Sequence, residues 1–279
     1  MSMSVVSPDI ECRCSACVRA GASLARFAHL VSVVTPVYND ADYLHRAVLS
    51  VARQTVPVYE HIVINDGSTD ETVAAIETLQ HAYSHIIVIT QRRSGAAAAR
   101  NAGIMRARGR YIAFLDADDV WLERKVERQV RFMEEEGCLF SYGDYDEVQH
   151  HNGRLLKRYR LPPRVGHRQL LRGCPIGCLT AAYNQQILGK RYMPVVRSGH
   201  DWGLWLDLTR DGLRAHRYPG LEAAYSNGRP SLSTRKLQKV VNIYRIYRDG
   251  EDLSRTRSVL RALQHAVVAI LKKLRLLYS

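Results

Sequence analysis

Apolar residues early in the chain gather into short runs set apart by polar turns, at 30–34, 62–64, 86–89 and 111–115. Runs of this length, nearly free of polar alternation, read as strands covered on both faces, as in a parallel sheet. Between them the period lengthens to three and four. Leu44, Val48, Leu49 and Val51 form a stripe after Asn39 and Asp40, either of which can cap a helix. Ser68 with Glu71 three residues on is a capping-box pattern, opening a helix through Val73, Ile76 and Leu79. Ser94-Gly95 opens an alanine-rich helix to about Ala107, closed by Gly109. This alternation predicts an α/β fold with a mostly parallel sheet, helices on both faces and right-handed crossovers.

Beyond Asp119 the regular alternation stops. Residues 120–136 read as a charged amphipathic helix, 138–142 as a strand, and Asn152-Gly153 as the turn of a hairpin. Leu170-Leu171 belongs to a short helix and 176–183 to a strand. A helix over 201–210 carries Trp202, Leu204, Trp205, Leu206 and Leu208. Past Leu232 the chain turns helical and basic. There Leu260, Leu263, Val267, Leu271 and Leu274 recur at three- and four-residue steps among Arg257, Arg261, Lys272, Lys273 and Arg275. Two readings stay open for this segment: an interfacial helix on anionic lipid, or a helix packed on its own domain or on a second subunit of a homodimer.

Composition narrows the partners. With 279 residues, 46% hydrophobic and 24% charged, the chain suits a soluble globular protein with a sizeable core. No run reaches the roughly 18 apolar residues of a membrane span, and no signal peptide opens the chain, which points to the cytoplasm. The net charge of +13 calls for an anionic partner such as nucleic acid, anionic lipid or nucleotide phosphates. No recognisable nucleic-acid module is present, so that partner is not expected. Cys12, Cys14 and Cys17 lack a fourth ligand at zinc spacing and read as part of an unstructured extension.

The fourth run ends abruptly in Asp116, Asp118 and Asp119. Asp116 and Asp118, two apart in extended backbone, point to the same side. Clustered carboxylates repel, and a hard divalent cation relieves that repulsion. The same residues also suit the first turn of a helix starting near Val120. Ligands of open α/β sheets bind beyond the carboxyl ends of the strands. The other three ends lead to Pro36, Tyr38 and Asn39, to Asp66, and to Gly95 with Arg100-Asn101. Tyr38 offers a ring to a base, Asp66 can accept from a uracil imide N–H, Gly95 admits close backbone approach, and Arg100 offers a fork for phosphate. Any one group is ordinary loop punctuation; four together, each after a buried-type strand, point to a nucleotide.

Thr35-Pro36-Val37-Tyr38-Asn39, Asn65-Asp66-Gly67-Ser68-Thr69-Asp70, Ala99-Arg100-Asn101-Ala102-Gly103-Ile104 and Phe114-Leu115-Asp116-Ala117-Asp118-Asp119, in this order and spacing, resemble the family 2 glycosyltransferases of GT-A fold. The resemblance covers about residues 30–125. It continues more loosely to about 235 through Gly177-Cys178-Leu179-Thr180, Asp201-Trp202-Gly203-Leu204-Trp205 and Ser231-Leu232-Ser233, which look like bacterial enzymes building lipopolysaccharide or capsule oligosaccharides. It implies a Rossmann-like GT-A sheet, a UDP-sugar donor, Mn2+ or Mg2+, inversion at the anomeric carbon, and an oligosaccharide acceptor on a lipid carrier.

Carried over by motif position, Tyr38 lies by the base and Asp66 reads the uracil. Asp116 holds the ribose or a metal-bound water, and Asp118 is the direct metal ligand. Pro36, Asn39, Gly95, Arg100, Asn101 and Ala117 complete the nucleotide set. Asp201 is the general base, at the head of its helix, where an N-cap is the bland alternative. His200 stands where the family often has an acidic residue. Asp207 and Asp211 are secondary candidates, Asp144 and Asp146 can face the acceptor, and Arg229 can close over the diphosphate. The organisation expected is a loose extension (1–27), a nucleotide-sugar half (28–128), an acceptor half with the base (129–234) and basic C-terminal helices (235–279). A nucleotidyltransferase sharing sheet and carboxylates would carry a Gly-rich basic loop after its first strand, and Thr35-Pro36-Val37-Tyr38-Asn39 is not one.

Overall fold

The computed structural model describes residues 24–150, 152–227, 236–251 and 253–275. Strands β1 (Val31–Val37), β2 (Glu60–Asn65), β3 (Ile86–Thr90) and β4 (Tyr111–Phe114) pair in parallel in the order β3-β2-β1-β4. Helices α1 (Ala41–Ala52), α2 (Thr72–Ala82) and α3 (Ala96–Arg106) connect them. Successive residues of β1 serve opposite faces: Val33 packs with Ala47 and Val51 of α1, and Val34 with Ala99 and Ile104 of α3. Both faces are covered, which is why the strand runs are continuously apolar.

The second half contains β5 (Val120–Trp121), α4 (Lys125–Glu135), β6 (Phe140–Gln149), β7 (Leu155–Tyr159), β8 (Arg164–Gly166), α5 (His167–Leu170), β9 (Ala182–Asn184), α6 (Gln185–Leu188), α7 (His200–Thr209), β10 (Arg214–Asn227), α8 (Lys236–Arg245) and α9 (Arg255–Arg275). The sheet runs on from β4 as β9-β6-β10-β5, with β7 beside β6 and β8 beside β10. Short β9 is antiparallel to both β4 and β6, while the long β6 and β10 are parallel, so the central sheet remains mostly parallel. Helix α7 is buried on nearly every side. Trp205 sits 5.8 Å from Phe114 of β4 and 5.0 Å from Phe140 of β6, and the Trp202 indole donates to the Leu170 carbonyl at 2.9 Å. These contacts fix the head of α7 against the sheet.

Several local expectations are corrected. The helix expected over 120–136 begins only at Lys125, because Val120–Trp121 pairs with Ala223-Ala224 as β5 and the buried Trp121 indole donates to the Leu179 carbonyl at 2.8 Å. The strand expected over 176–183 is a 3-10 turn, Cys178–Thr180, closed by Thr180 Oγ1 donating to the Gly177 carbonyl, and only Ala182–Asn184 pairs. The Ser68/Glu71 box does not form. Asp70 accepts from Thr72 N at 3.0 Å instead, and Ser68 Oγ accepts from Asn39 N at 3.1 Å. Phe27, placed by the sequence in the loose extension, is buried with Val31, Val33 and Val130. Cys12, Cys14, Cys17, Arg229 and Ser231-Leu232-Ser233 lie outside the described residues. Among the described residues, no helix is long and apolar enough to cross a membrane.

Candidate active site

The carboxyl ends of the parallel strands and the head of α7 meet at one cavity of about 400 Å³. Pro36, Tyr38, Asp66, Gly95, Arg100, Asp116, Ala117, Asp118 and Asp201 line it. Asn39 and Asn101 do not. Asn39, with φ of 49°, accepts from Thr69 N at 2.9 Å and ties the β1 loop to the β2 loop. The Asn101 amide exchanges two 2.8 Å bonds with the Met193 peptide, fastening the segment ahead of α7 to α3.

Asp66 organises the loop that follows β3. Its Oδ1 accepts from Gln91 Nε2 at 2.7 Å and from Ser94 N at 2.8 Å, and its Oδ2 accepts from Gly95 N at 2.8 Å. Gly95 has φ of 90°, a conformation that strains any side chain. A carboxylate offers about four lone-pair sites, so one stays available to a ligand N–H. The Tyr38 ring is covered on one face by Arg93, whose guanidinium carbon lies 4.0 Å from the centroid.

Arg100, 4% exposed, is a buried cation of the site. Nη2 donates to Asp116, and Nη1 lies 2.7 Å from His200 Nε2. Burial works against the guanidinium charge, but the surrounding acidic groups, Asp116 foremost, together outweigh it and raise the Arg100 pKa. A guanidinium only donates, so His200 Nε2 accepts and the ring is neutral. Burial, and then the Arg100 charge, lower the His200 pKa and keep it so.

The three clustered carboxylates face three ways. Asp116 meets Arg100, Asp118 lines the cavity, and Asp119 turns inward, 2% exposed, accepting from Ser226 N at 2.9 Å. The expectation that Asp119 opens a helix is thereby corrected. Burial first, then Asp116 and Asp118, raise the Asp119 pKa well above the carboxylate range. No cluster of three metal-ligating side chains occurs among the described residues. A small hard cation held by one or two carboxylates and substrate phosphates needs no such cage. Burial keeps Asp119 out of the charged set, while Asp116 and Asp118 both present hard oxygen donors to the cavity, so the donor set fits such a cation.

Asp201 sits in the first turn of α7, after Gly199 in left-handed backbone (φ 77°). It forms no hydrogen bond or ion pair with the described residues. The other acidic candidates are engaged away from the cavity. Asp207 pairs with Arg191 at 3.4 Å, Asp144 is held by Arg217 at 2.6 Å and Arg160 at 3.1 Å, and Asp146 binds Arg158 at 2.8 and 2.9 Å. Asp211 is exposed and does not line the cavity.

Arg93, Arg197 and Ser198 also line the cavity and were not singled out by the sequence. Arg93 had a readable signal, a basic pair with Arg92 beside Ser94-Gly95. Arg197 and Ser198 lie in irregular backbone with no periodicity to mark them. Cys178 is a lining group whose thiol pKa is pushed up by burial, so it stays neutral.

Residues 32–190 match the family described as Glycosyl transferase family 2. The Bacillus subtilis (strain 168) protein named as a teichuronic acid biosynthesis glycosyltransferase, TuaG, is 35% identical over 246 residues, 88% of this chain and 98% of that one. The Escherichia coli protein WfgD, named as a UDP-Glc:alpha-D-GlcNAc-diphosphoundecaprenol beta-1,3-glucosyltransferase, is 32% identical over 214 residues, 76% of this chain and 83% of that one. Among solved structures, S. aureus TarS 1-349 in complex with UDP-GlcNAc superposes with a TM-score of 0.64 at 20% identity, covering 84% of this chain and 71% of that one. That last likeness is one of fold.

Proposed function

The chain belongs to glycosyl transferase family 2 and is a glycosyltransferase, and from that premise we propose an inverting, divalent-metal-dependent transfer of a hexose or N-acetylhexosamine from a UDP-sugar to a hydroxyl of a lipid-linked oligosaccharide, in bacterial surface polysaccharide synthesis. The observation that carries this reading is Asp201 sharing one cavity with Asp66, Asp116 and Asp118, with no hydrogen bond or ion pair to it among the described residues. Inversion requires a base on the acceptor side, opposite the departing UDP. Asp201 takes the proton of the acceptor hydroxyl as that oxygen attacks the anomeric carbon. The remaining lone pair of Asp66 receives the imide N–H of uracil, and Tyr38, backed by Arg93, lies beside the base.

Asp118, with Asp116, would hold Mn2+ or Mg2+. When bound, such an ion stabilises the negative charge gathering on the diphosphate. Arg100 acts on Asp116 and sets its orientation, rather than presenting a free fork to phosphate. The WfgD name supports a UDP-sugar donor and a diphosphoundecaprenol-linked acceptor. Such an acceptor, used with a nucleotide-sugar donor, would put the reaction at the cytoplasmic face of the cell membrane. The test is the purified chain with Mn2+ and a panel of UDP-hexoses and UDP-N-acetylhexosamines, scored by UDP release. Release with a subset of donors is expected. No release with any donor, with or without a lipid-linked acceptor, rejects the reading.

A further inference from the structure

Helix α9 is packed the wrong way round for an ordinary surface helix. Its buried residues are small, Ser258 at 0% and Ala262 at 2% exposed, and the His265 ring turns inward against Trp202 at 4.9 Å. Its large apolar residues face out: Val259 is 46%, Leu260 62% and Leu263 54% exposed. A helix partnered only by its own domain buries its apolar stripe. Here the stripe is left uncovered, and the sequence continues it with Val267, Leu271 and Leu274. The charge on this segment has one sign. From Leu253 to the end of the chain there is no Asp or Glu, while Arg255, Arg257, Arg261, Lys272, Lys273 and Arg275 are all basic.

We infer that the outward face of α9 lies on an anionic lipid surface, with Leu260 and Leu263 in the acyl boundary and the arginines at the headgroup phosphates. Apolar stripe and uniform positive charge together are the chemistry of an interfacial helix. The charges exclude spanning. A second copy of the chain is a poorer occupant, because it would oppose two helices that both lack any acidic residue. The inference goes beyond the transfer reaction and is independent of donor and acceptor.

The experiment is flotation of the full chain with vesicles of phosphatidylglycerol and phosphatidylcholine, against phosphatidylcholine alone. Binding to the anionic vesicles is expected, weakening as salt rises. The double variant Leu260→Gln/Leu263→Gln should bind about tenfold or more weakly, since interfacial affinity scales with apolar area buried. Arg255→Gln/Arg257→Gln/Arg261→Gln should lose the preference for anionic vesicles. Unchanged thermal melting shows that these substitutions leave the fold intact, and UDP release by the same preparations reports separately on the reaction. Absence of flotation by the parent chain overturns the inference. So does flotation of the leucine variant equal to the parent's, or a parent dimer in sedimentation that the leucine variant abolishes.

Discussion

Nη1 of Arg100 stands 2.7 Å from Nε2 of His200, and the same guanidinium holds Asp116 through Nη2. One buried cation therefore joins α3, the acidic end of β4 and the head of α7. The residue next to His200 is Asp201, so the proposed base and the carboxylate cluster share a common tether. In this chain a neutral imidazole acceptor does that work.

Changing the acceptor should separate geometry from size. His200→Gln retains an oxygen for Nη1. His200→Leu leaves a buried donor unpaired, at about 1–3 kcal/mol. The leucine variant should melt lower and turn over about tenfold or more slowly, as when a supporting hydrogen bond behind a ligand is lost. The glutamine variant should recover most of both. Equal rates and melting temperatures for the leucine variant and the parent would remove the tether from the mechanism.

The carboxylates should divide their labour. Asp201→Asn keeps the shape of the side chain but not its basicity, so kcat should fall by about a hundredfold or more. UDP-sugar affinity, read by calorimetry, should be nearly unchanged. Asp118→Ala should lose turnover together with the Mn2+ dependence of UDP binding. A large affinity loss in the Asp201 variant would point instead to a structural role.

Gly103 offers a packing test. A Cβ there would lie 2.5 Å from Val34 Cγ1 and 2.9 Å from Ile64 Cδ1, both fully buried. Helix propensity favours Gly103→Ala by about 1 kcal/mol. Overpacking against β1 and β2 opposes it by about 1–3 kcal/mol. Valine is stiff at χ1, so the clash should win and the melting temperature should drop. A more stable variant would show that α3 shifts freely on the sheet.

His61 should impose a pH dependence on stability. Burial, and then the neighbouring His85, lower its pKa from 6.5 to about 3, and its Nε2 is 2.8 Å from Thr35 Oγ1. Between those values the unfolded chain binds a proton that the folded chain does not. The stability held above pH 6.5 is therefore lost as pH falls toward 3, by up to about 1.4 kcal/mol per unit. His61→Gln should flatten the pH dependence of chemical unfolding over the acid limb. An unchanged slope would mean that other groups carry it.

The parallel half of the sheet was legible because its signal is local. Strands buried on both faces write an unbroken apolar run, and the helices between them write a stripe with period near four. The strand-end residues were legible for a related reason, since the chain must turn there and the turns carry the polar groups. Trp121 shows where this stops. Val120 and Trp121 fit a helix by pattern, yet they pair with Ala223-Ala224, about a hundred positions away.

By itself, then, the chain determined the β-α alternation, the strand ends that meet at the cavity and the acidic character of the fourth. The tertiary structure decided how the carboxylates in Asp116-Ala117-Asp118-Asp119 are oriented, that Arg100 serves Asp116 and His200, and that the leucines of α9 face outward. The physical reason is range. Burial and backbone period act between neighbours in sequence, whereas the partner of a charge or an apolar face is chosen by whatever the fold brings beside it.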